Sequence, residues 1–311
     1  MERWDVIIIG AGAAGLTAGI YSSRSGLRTL IVEAKVPGGM VALSPWIENY
    51  PGFPDGISGS ELVERMLKQC RRFGAELHEL ERVIQLILKD EERIVKTENS
   101  EYSAEAVIIA SGSRHKTLGV PGEAELQGKG VSYCAVCDGA FFKDGRVLVV
   151  GGGNTAVVSA LYLSNIASKV YLAHRRSQLR AENAYMRDLI ERGVKILWNS
   201  ELKEIKGESK VESVVILNNQ TGEEMELKVD GVFINVGEVP NSGFASEAGV
   251  KVDGGGYILT DNLQRTNIPG IYAAGDVTAC PIKQIGTAVG QAIIAATDAF
   301  GYIKRPYYFH N

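Results

Sequence analysis

One pattern occurs twice in this 311-residue chain: an apolar, β-branched run ends in a glycine-rich turn, and a stretch of small and apolar residues follows. The first copy is Trp4-Asp-Val-Ile-Ile-Ile-Gly10 with the turn Gly10-Ala-Gly12-Ala-Ala-Gly15. The second is Arg146-Val-Leu-Val-Val-Gly151 with the turn Gly151-Gly-Gly153-Asn-Thr-Ala156. A strand, a tight turn, a helix and a second strand make a βαβ opening, so the repeat predicts two of them. Helices are expected from about Ala14 to Ser25 and from about Thr155 to Ile166, feeding strands over Thr29–Glu33 and Lys169–Ala173. The unbroken apolar runs suit strands buried on both faces of a parallel sheet.

A chain of this length has room for two domains. Past Lys195, charged and apolar positions alternate through Val211–Leu217, with turn signals at Asn218-Asn219 and Gly222, which predicts an antiparallel meander. Glu81–Tyr102 has the same habit. The segment after Gly270-Ile-Tyr-Ala-Ala-Gly-Asp276 carries a small-residue helical pattern from Gly286 to Phe300 but opens no new βαβ unit, so it is expected to complete the first domain. The predicted fold class is α/β, with two Rossmann-like (three-layer ββα) nucleotide-binding domains: residues 117–244 inserted into a domain made of 1–116 and 245–311.

Composition excludes several function classes. Lys+Arg 33 against Asp+Glu 37 gives a formal net charge of −4 without long like-charge runs, so there is no footprint for nucleic acid or an anionic membrane. The run Val6–Ile9 is too short for a signal peptide, and no stretch reaches the roughly 18 apolar residues of a membrane span, so a soluble cytoplasmic protein is expected. Cys134-Ala-Val-Cys137 has no second cysteine pair to complete a zinc site, and His78, His115, His174 and His310 are scattered. No metal is expected. Cys70 and Cys280 are read as structural or incidental.

The first glycine turn lets the backbone approach a pyrophosphate at a helix N-terminus. Glu33 ends the following strand, where a carboxylate accepts hydrogen bonds from a ribose diol. That combination selects a dinucleotide without a 2′-phosphate, FAD or NAD. The same offset counted from Gly151 reaches His174, followed by Arg175, Arg176 and Arg180. Planar guanidiniums clasp a 2′-phosphate where an acid would repel it, so this second site should prefer NADPH. His174 either touches the phosphate or caps the strand.

The Cys-x-x-Cys spacing beside a βαβ unit reads as a redox dithiol. Asp138, directly after Cys137, is placed for general acid-base work, for capping the next helix, or for both. A nicotinamide delivers hydride, which thiols cannot store, so a flavin is required between them. The first site, with Gly10, Gly12, Ala13, Ala14 and Glu33, is therefore read as the FAD site. The second, with Gly151, Gly153, Asn154, Thr155 and Ala156, is read as the NADPH site.

These motifs, together with Gly38-Gly39, Ile47-Glu-Asn49-Tyr-Pro-Gly52, Ala110-Ser-Gly112 and Gly275-Asp276-Val277 with Gln284, resemble the low-molecular-weight, bacterial and archaeal type of thioredoxin reductase over essentially the whole chain. The resemblance implies an FAD pocket that also takes in Ala34, Lys35, Gly39, Met40, Leu43, Asn49, Val83, Ala110, Ser111 and Gly112. From the C-terminal segment it adds Gly275, Asp276, Lys283, Gln284 and Ile285, with Gly237 on the NADPH side. It implies that Cys137 faces the flavin, that Cys134 attacks the partner disulfide, and that the protein is a homodimer. It also implies that the NADPH domain rotates relative to the FAD domain, with hinges expected near Thr117 and Phe244. The chain departs from the family pattern at Met40, where Gln is general, at Lys283, where Arg is common, and at Val158-Ser159, which replace a Glu-Glu pair.

The expected activity is an NADPH-dependent, FAD-containing thioredoxin-disulfide reductase acting on thioredoxin or a thioredoxin-like or glutaredoxin-like protein. A dithiol oxidase using oxygen is opposed by Arg175, Arg176 and Arg180. A ferredoxin-driven reductase is opposed by the intact second glycine turn. A non-catalytic nucleotide-binding redox sensor is the remaining alternative. The aromatic tail Tyr307–Phe309 is expected to pack on the FAD domain.

Overall fold

The computed structural model describes residues 2–42, 44, 47, 49–89, 92–179 and 183–304, with side chains at all of these except 136, 137 and 183–185. Leu43, Arg180 and the tail Tyr307–Phe309 lie outside the described residues, as does the side chain of Cys137. The chain divides into two compact units, 1–114 with 239–311, and 115–238, so it crosses after Arg114 and again after Glu238.

The first unit opens with β1 (Glu2–Ile9), α1 (Ala13–Arg24), β2 (Thr29–Val32), a short α2 (Gly39–Ala42), α3 (Gly59–Arg72) and β3 (Glu76–His78). The antiparallel meander follows as β4 (Val83–Lys89), β5 (Glu92–Thr97) and β6 (Glu101–Ile109), and β7 (Ser113–His115) leads to the first crossing. β3, β2, β1 and β6 lie side by side and parallel. The first half of β6 also pairs with β5 antiparallel.

The two-residue period of β1 explains the layering. Val6 and Ile8 join a core that includes Leu16 of α1 and Leu62 and Met66 of α3, while Ile7 and Ile9 join the opposite core with Leu86 of β4 and Val95 of β5. Both faces are thus covered, one by helices and one by the meander, which is why β1 is continuously apolar. α1 is built of small residues because it is buried almost throughout. A Cβ on Gly19 would stand 2.6 Å from Ile31 Cδ1 and 2.7 Å from Cys70 Sγ. Burial raises the Cys70 thiol to about 11, so that cysteine is a structural filler without thiolate character.

The second unit repeats the scheme. Its elements are β8 (Val131–Ser132), α4 (Ala135–Asp138) with a 3-10 turn over Gly139–Phe142, β9 (Arg146–Gly151), α5 (Asn154–Leu163), β10 (Lys169–His174) and α6 (Asn183–Glu191). Then come β11 (Lys195–Trp198), β12 (Ser200–Lys206), β13 (Ser213–Asn218), β14 (Glu224–Lys228), β15 (Gly231–Asn235) and β16 (Glu238–Pro240), the last running through the second crossing. The parallel order is β11-β10-β9-β15-β8, and β12, β13 and β14 form the antiparallel layer. Val147 and Val149 face α5, whereas Leu148 and Val150 face the meander residues Ile205, Val214 and Ile216.

The chain returns to the first unit through α7 (Gly243–Glu247) and β17 (Ile271–Ala273), which pairs parallel with the second half of β6, and ends in α8 (Ile285–Lys304), which packs on α1. The α/β class and the paired ββα scheme read from the repeat describe this molecule. Among the described residues, no helix is long and apolar enough to cross a membrane.

Candidate active site

The first glycine turn has three distinct glycine roles. Gly10 has φ +104°, and a Cβ there would meet Ala110 O at 2.4 Å. A Cβ on Gly15 would stand 1.7 Å from Gly10 O, so helix and turn touch backbone to backbone. Gly12 has nothing within 4 Å of its Cβ position and heads α1 with no side-chain cap. The helix N-terminus is therefore left bare for an anion.

Glu33 closes this turn from the side. Its Oε2 accepts from Ala11 N at 2.7 Å and its Oε1 from Lys35 N at 2.8 Å. Each oxygen keeps a second lone pair, which suits a ribose diol. The strand end that carries Glu33 is pinned by Glu33 N to His78 O at 2.8 Å and by Glu81 N to Glu33 O at 2.9 Å. Neither His78 nor Glu81 carries a sequence signal for this role.

The remaining FAD candidates all lie in the same unit. A Cβ on Gly39 would sit 3.5 Å from Gly12 Cα, which brings the Gly38-Gly39 turn onto the first one. Asn49 Nδ2 donates to Gln284 Oε1 at 3.0 Å, joining two candidates distant in sequence. Ala13 and Ala14 are buried at the start of α1, Ala34 and Lys35 are exposed, Met40 is half-buried in α2, and Val83 begins β4. Ala110 is buried, Ser111 Oγ donates to Asn241 O at 2.7 Å, and Gly112 has φ +62°. Gly275 N donates to Gln291 Oε1 at 2.8 Å, and a Cβ on Gly275 would stand 2.9 Å from Ala14 Cβ. Lys283 Nζ donates to Asp276 O at 3.1 Å, and Ile285 opens α8. Gln291, which holds the Gly275 turn, was not legible in the sequence.

In the second unit the same turn is built with different side chains. A Cβ on Gly151 would meet Asn235 O at 2.3 Å, while Gly153 is open and heads α5 without a side-chain cap. Asn154 and Thr155 are exposed on the first turn of α5, and Ala156 is buried behind them. His174 is only 5% exposed, and its ring lies 2.2 Å from where a Cβ on Gly152 would be. Its Nε2 donates to Gln178 O at 3.0 Å. Arg175 and Arg176 are exposed and line an open, polar cavity of about 690 Å³. Gly237, φ +112°, accepts from Lys116 N at 2.9 Å.

The dithiol loop belongs to this same unit. Cys134 is disulfide-bonded, whereas Cys70 and Cys280 are free thiols. Ser132 Oγ accepts from Cys134 N at 3.0 Å and donates to Asp138 Oδ2 at 2.6 Å. Asp138 makes no side-chain cap to the turn that follows it. Its carboxylate is turned back toward the start of the loop.

Tyr133, next to Cys134, donates to Glu123 Oε1 at 2.7 Å, stacks on His115 with 5.6 Å between ring centroids, and accepts at its carbonyl from Asn235 Nδ2 at 3.2 Å. Burial and the Glu123 carboxylate push the Tyr133 phenol well above its usual range. Asn235 thereby touches both the glycine turn, at Gly151, and the dithiol loop. Gly139 packs on Tyr162 and Leu163 of α5, where a Cβ would stand 3.0 Å from the tyrosine ring. Phe141, two residues further, is 84% exposed.

Comparison with known proteins fits this geometry. The family model of the pyridine nucleotide-disulphide oxidoreductases matches residues 4–292. The thioredoxin reductase of Bacillus subtilis (strain 168) is 46% identical over 97% of this chain and 95% of its own length. The chain belongs to the thioredoxin reductase family of oxidoreductases. The thioredoxin reductase of Treponema pallidum is 44% identical over 96% of this chain and 97% of its own. Among solved structures, the Lactococcus lactis thioredoxin reductase superposes with a TM-score of 0.88 at 42% identity, over 97% of this chain and 100% of that one. The T. acidophilum thioredoxin reductase gives 0.85 at 40% identity, over 97% and 99%. On α5, just past the second turn, Val158 is 47% exposed and Ser159 is buried.

Proposed function

We propose that this chain is an NADPH-dependent, FAD-containing reductase that uses the Cys134/Cys137 pair to reduce the disulfide of thioredoxin or a thioredoxin-like protein. The observation that carries it is Asn235, which links the arginine-flanked glycine turn to the dithiol loop within one unit. The full-length relatives, which are thioredoxin reductases, support the substrate class.

The open space over Gly12, the Glu33 carboxylate with its free lone pairs and the Asn49–Gln284 pair fit FAD in the first unit. When bound, a flavin accepts hydride and releases electron pairs, which thiols alone cannot do. In the second unit, Arg175 and Arg176 supply the cations for a 2′-phosphate and Gly151–Gly153 receive the pyrophosphate.

At the dithiol, the reduced Cys134 thiolate attacks the partner disulfide, giving a mixed disulfide and releasing one partner thiolate. Cys137 then displaces the second, which returns the pair to its disulfide. Two protons are needed by the departing thiolates, and Asp138, oriented by Ser132, is the group beside the pair that holds and delivers one. The exposed Phe141 beside this loop offers an apolar contact to a protein rather than to a small thiol. Purified protein mixed with NADPH and oxidised thioredoxin should consume NADPH steadily. Bound flavin that NADPH leaves oxidised would refute this function.

A further inference from the structure

The cavity beside β10 is not made by the arginine segment alone. Arg175, Arg176 and Ser177 form one wall, and Asn199, Asn219 and Gln220 from the antiparallel layer form the other. Asn219 lies in the turn between β13 and β14. That turn is internally fixed, because Asn218 Oδ1 accepts from Gln220 N at 2.9 Å and from Thr221 N at 3.2 Å, and Gly222 N donates to Asn218 O at 2.8 Å.

From this fixed turn Asn219 Nδ2 donates to Arg175 O at 2.9 Å and to Glu201 Oε1 at 3.1 Å. Asn219 N donates to Asn199 O at 2.8 Å, and Asn199 N, in a residue with φ +51°, donates to Arg176 O at 3.2 Å. The Arg175 carbonyl is therefore tied to the hairpin turn directly, and the Arg176 carbonyl to Asn199, which the same turn holds. The negative ends of these peptides are occupied, Glu201 is held by Asn219, and among the described residues the charged side chains lining the cavity are Arg175 and Arg176.

We propose that Asn219 is a positioning residue for 2′-phosphate selection: through the Arg175 carbonyl and the Glu201 carboxylate it holds the arginine segment in the form that recognises a 2′-phosphorylated adenosine. The inference rests on the NADPH reading of this site. A guanidinium recognises phosphate by direction as well as charge, so a backbone tether one bond series away bears on selectivity. Asn219 is tied to Arg175, Glu201 and Asn199, whereas the glycine turn would hold the rest of the nucleotide.

The test is calorimetric titration of the holoenzyme with 2′,5′-ADP and with 5′-AMP, alongside NADPH kinetics. Asn219→Ala should weaken 2′,5′-ADP by about 5- to 10-fold, the scale of one lost hydrogen bond to a backbone carbonyl, and leave 5′-AMP unchanged. KM for NADPH should rise by the same factor with kcat unaltered, and Asn219→Gln, which keeps the amide donor, should recover most of the loss. If the wild type separates the two nucleotides and Asn219→Ala separates them equally, the role of Asn219 is overturned while the NADPH reading stands. A parallel loss of both nucleotides, or no recovery in Asn219→Gln, also overturns it. A wild type that does not distinguish them removes the NADPH reading itself, and this inference with it.

Discussion

The two glycine turns hold equivalent residues in opposite ways. In the first, the side chain that ends the second strand, Glu33, reaches the turn and accepts from the amide of Ala11. In the second, the corresponding His174 is buried and its ring fills the space that a methyl group on Gly152 would need. The carboxylate stays at the edge of one turn, accepting from backbone amides. The imidazole becomes part of the floor of the other, and the next residues, Arg175 and Arg176, take over the outward position. One scaffold thus presents an acid at one turn and cations at the other by changing what lies at a strand end.

Helix packing differs as well. Gly15 of the first turn meets Gly10 O directly, whereas its counterpart Ala156 carries a buried methyl group. The largest expected effect follows from that contrast. Gly15→Ala should cost about 3 kcal/mol or more, because a backbone carbonyl cannot yield as a side chain does, and should give protein with little flavin and a lowered Tm. Ala156→Gly should cost about 1 kcal/mol, the ordinary helix penalty. Equal losses in the two would remove the distinction between the turns.

Next in size are the charges. Glu33→Ala should weaken FAD by about 2 kcal/mol, and Arg175→Ala with Arg176→Ala should weaken NADPH by about 2–3 kcal/mol while sparing NADH. Fluorescence titration of the apoprotein and a KM comparison read these out. An equal loss for both coenzymes would mean that the arginines do not meet the 2′-phosphate. Gly152→Ala sharpens the point about His174: alone it should lower stability and NADPH affinity, and His174→Ala in the same chain should restore stability by making room. Failure of that rescue in a thermal melt would show that the ring is not what excludes the methyl group.

Much of this was legible in the sequence because it is local. Glycine spacing, apolar period and the charge at a strand end are short-range signals, and Gly10–Gly15, Glu33, Gly151–Ala156 and Arg175-Arg176 declare themselves through them. What was missed arrives from elsewhere in the fold. Asn219, Gln291 and Ser132 are single polar residues with no pattern, and each acts on a segment reached only after the chain folds back. Phe141 and Phe142 are adjacent and chemically identical, yet Phe142 packs edge-on against Phe233 at 5.2 Å while Phe141 is exposed. Only the 3-10 turn decides which is which.

The smallest expected effect is on pH dependence. Burial lowers the pKa of His115, which stacks on Tyr133 in the second unit. The folded state therefore binds fewer protons than the unfolded one below the ordinary histidine value of about 6.5, so stability should fall as pH drops through that point. His115→Gln should flatten this acid limb in pH-dependent melts. An unchanged limb would mean that another group controls it.

The division of labour between the two turns is tested most directly by titrating the purified protein anaerobically with NADPH and following the flavin band, then adding oxidised thioredoxin. The account predicts a flavin-coloured protein that is bleached by NADPH, more readily than by NADH, and recoloured by oxidised thioredoxin, with recolouring lost in Cys134→Ser. A colourless protein that takes up no FAD, or a flavin that NADPH leaves oxidised, would contradict it.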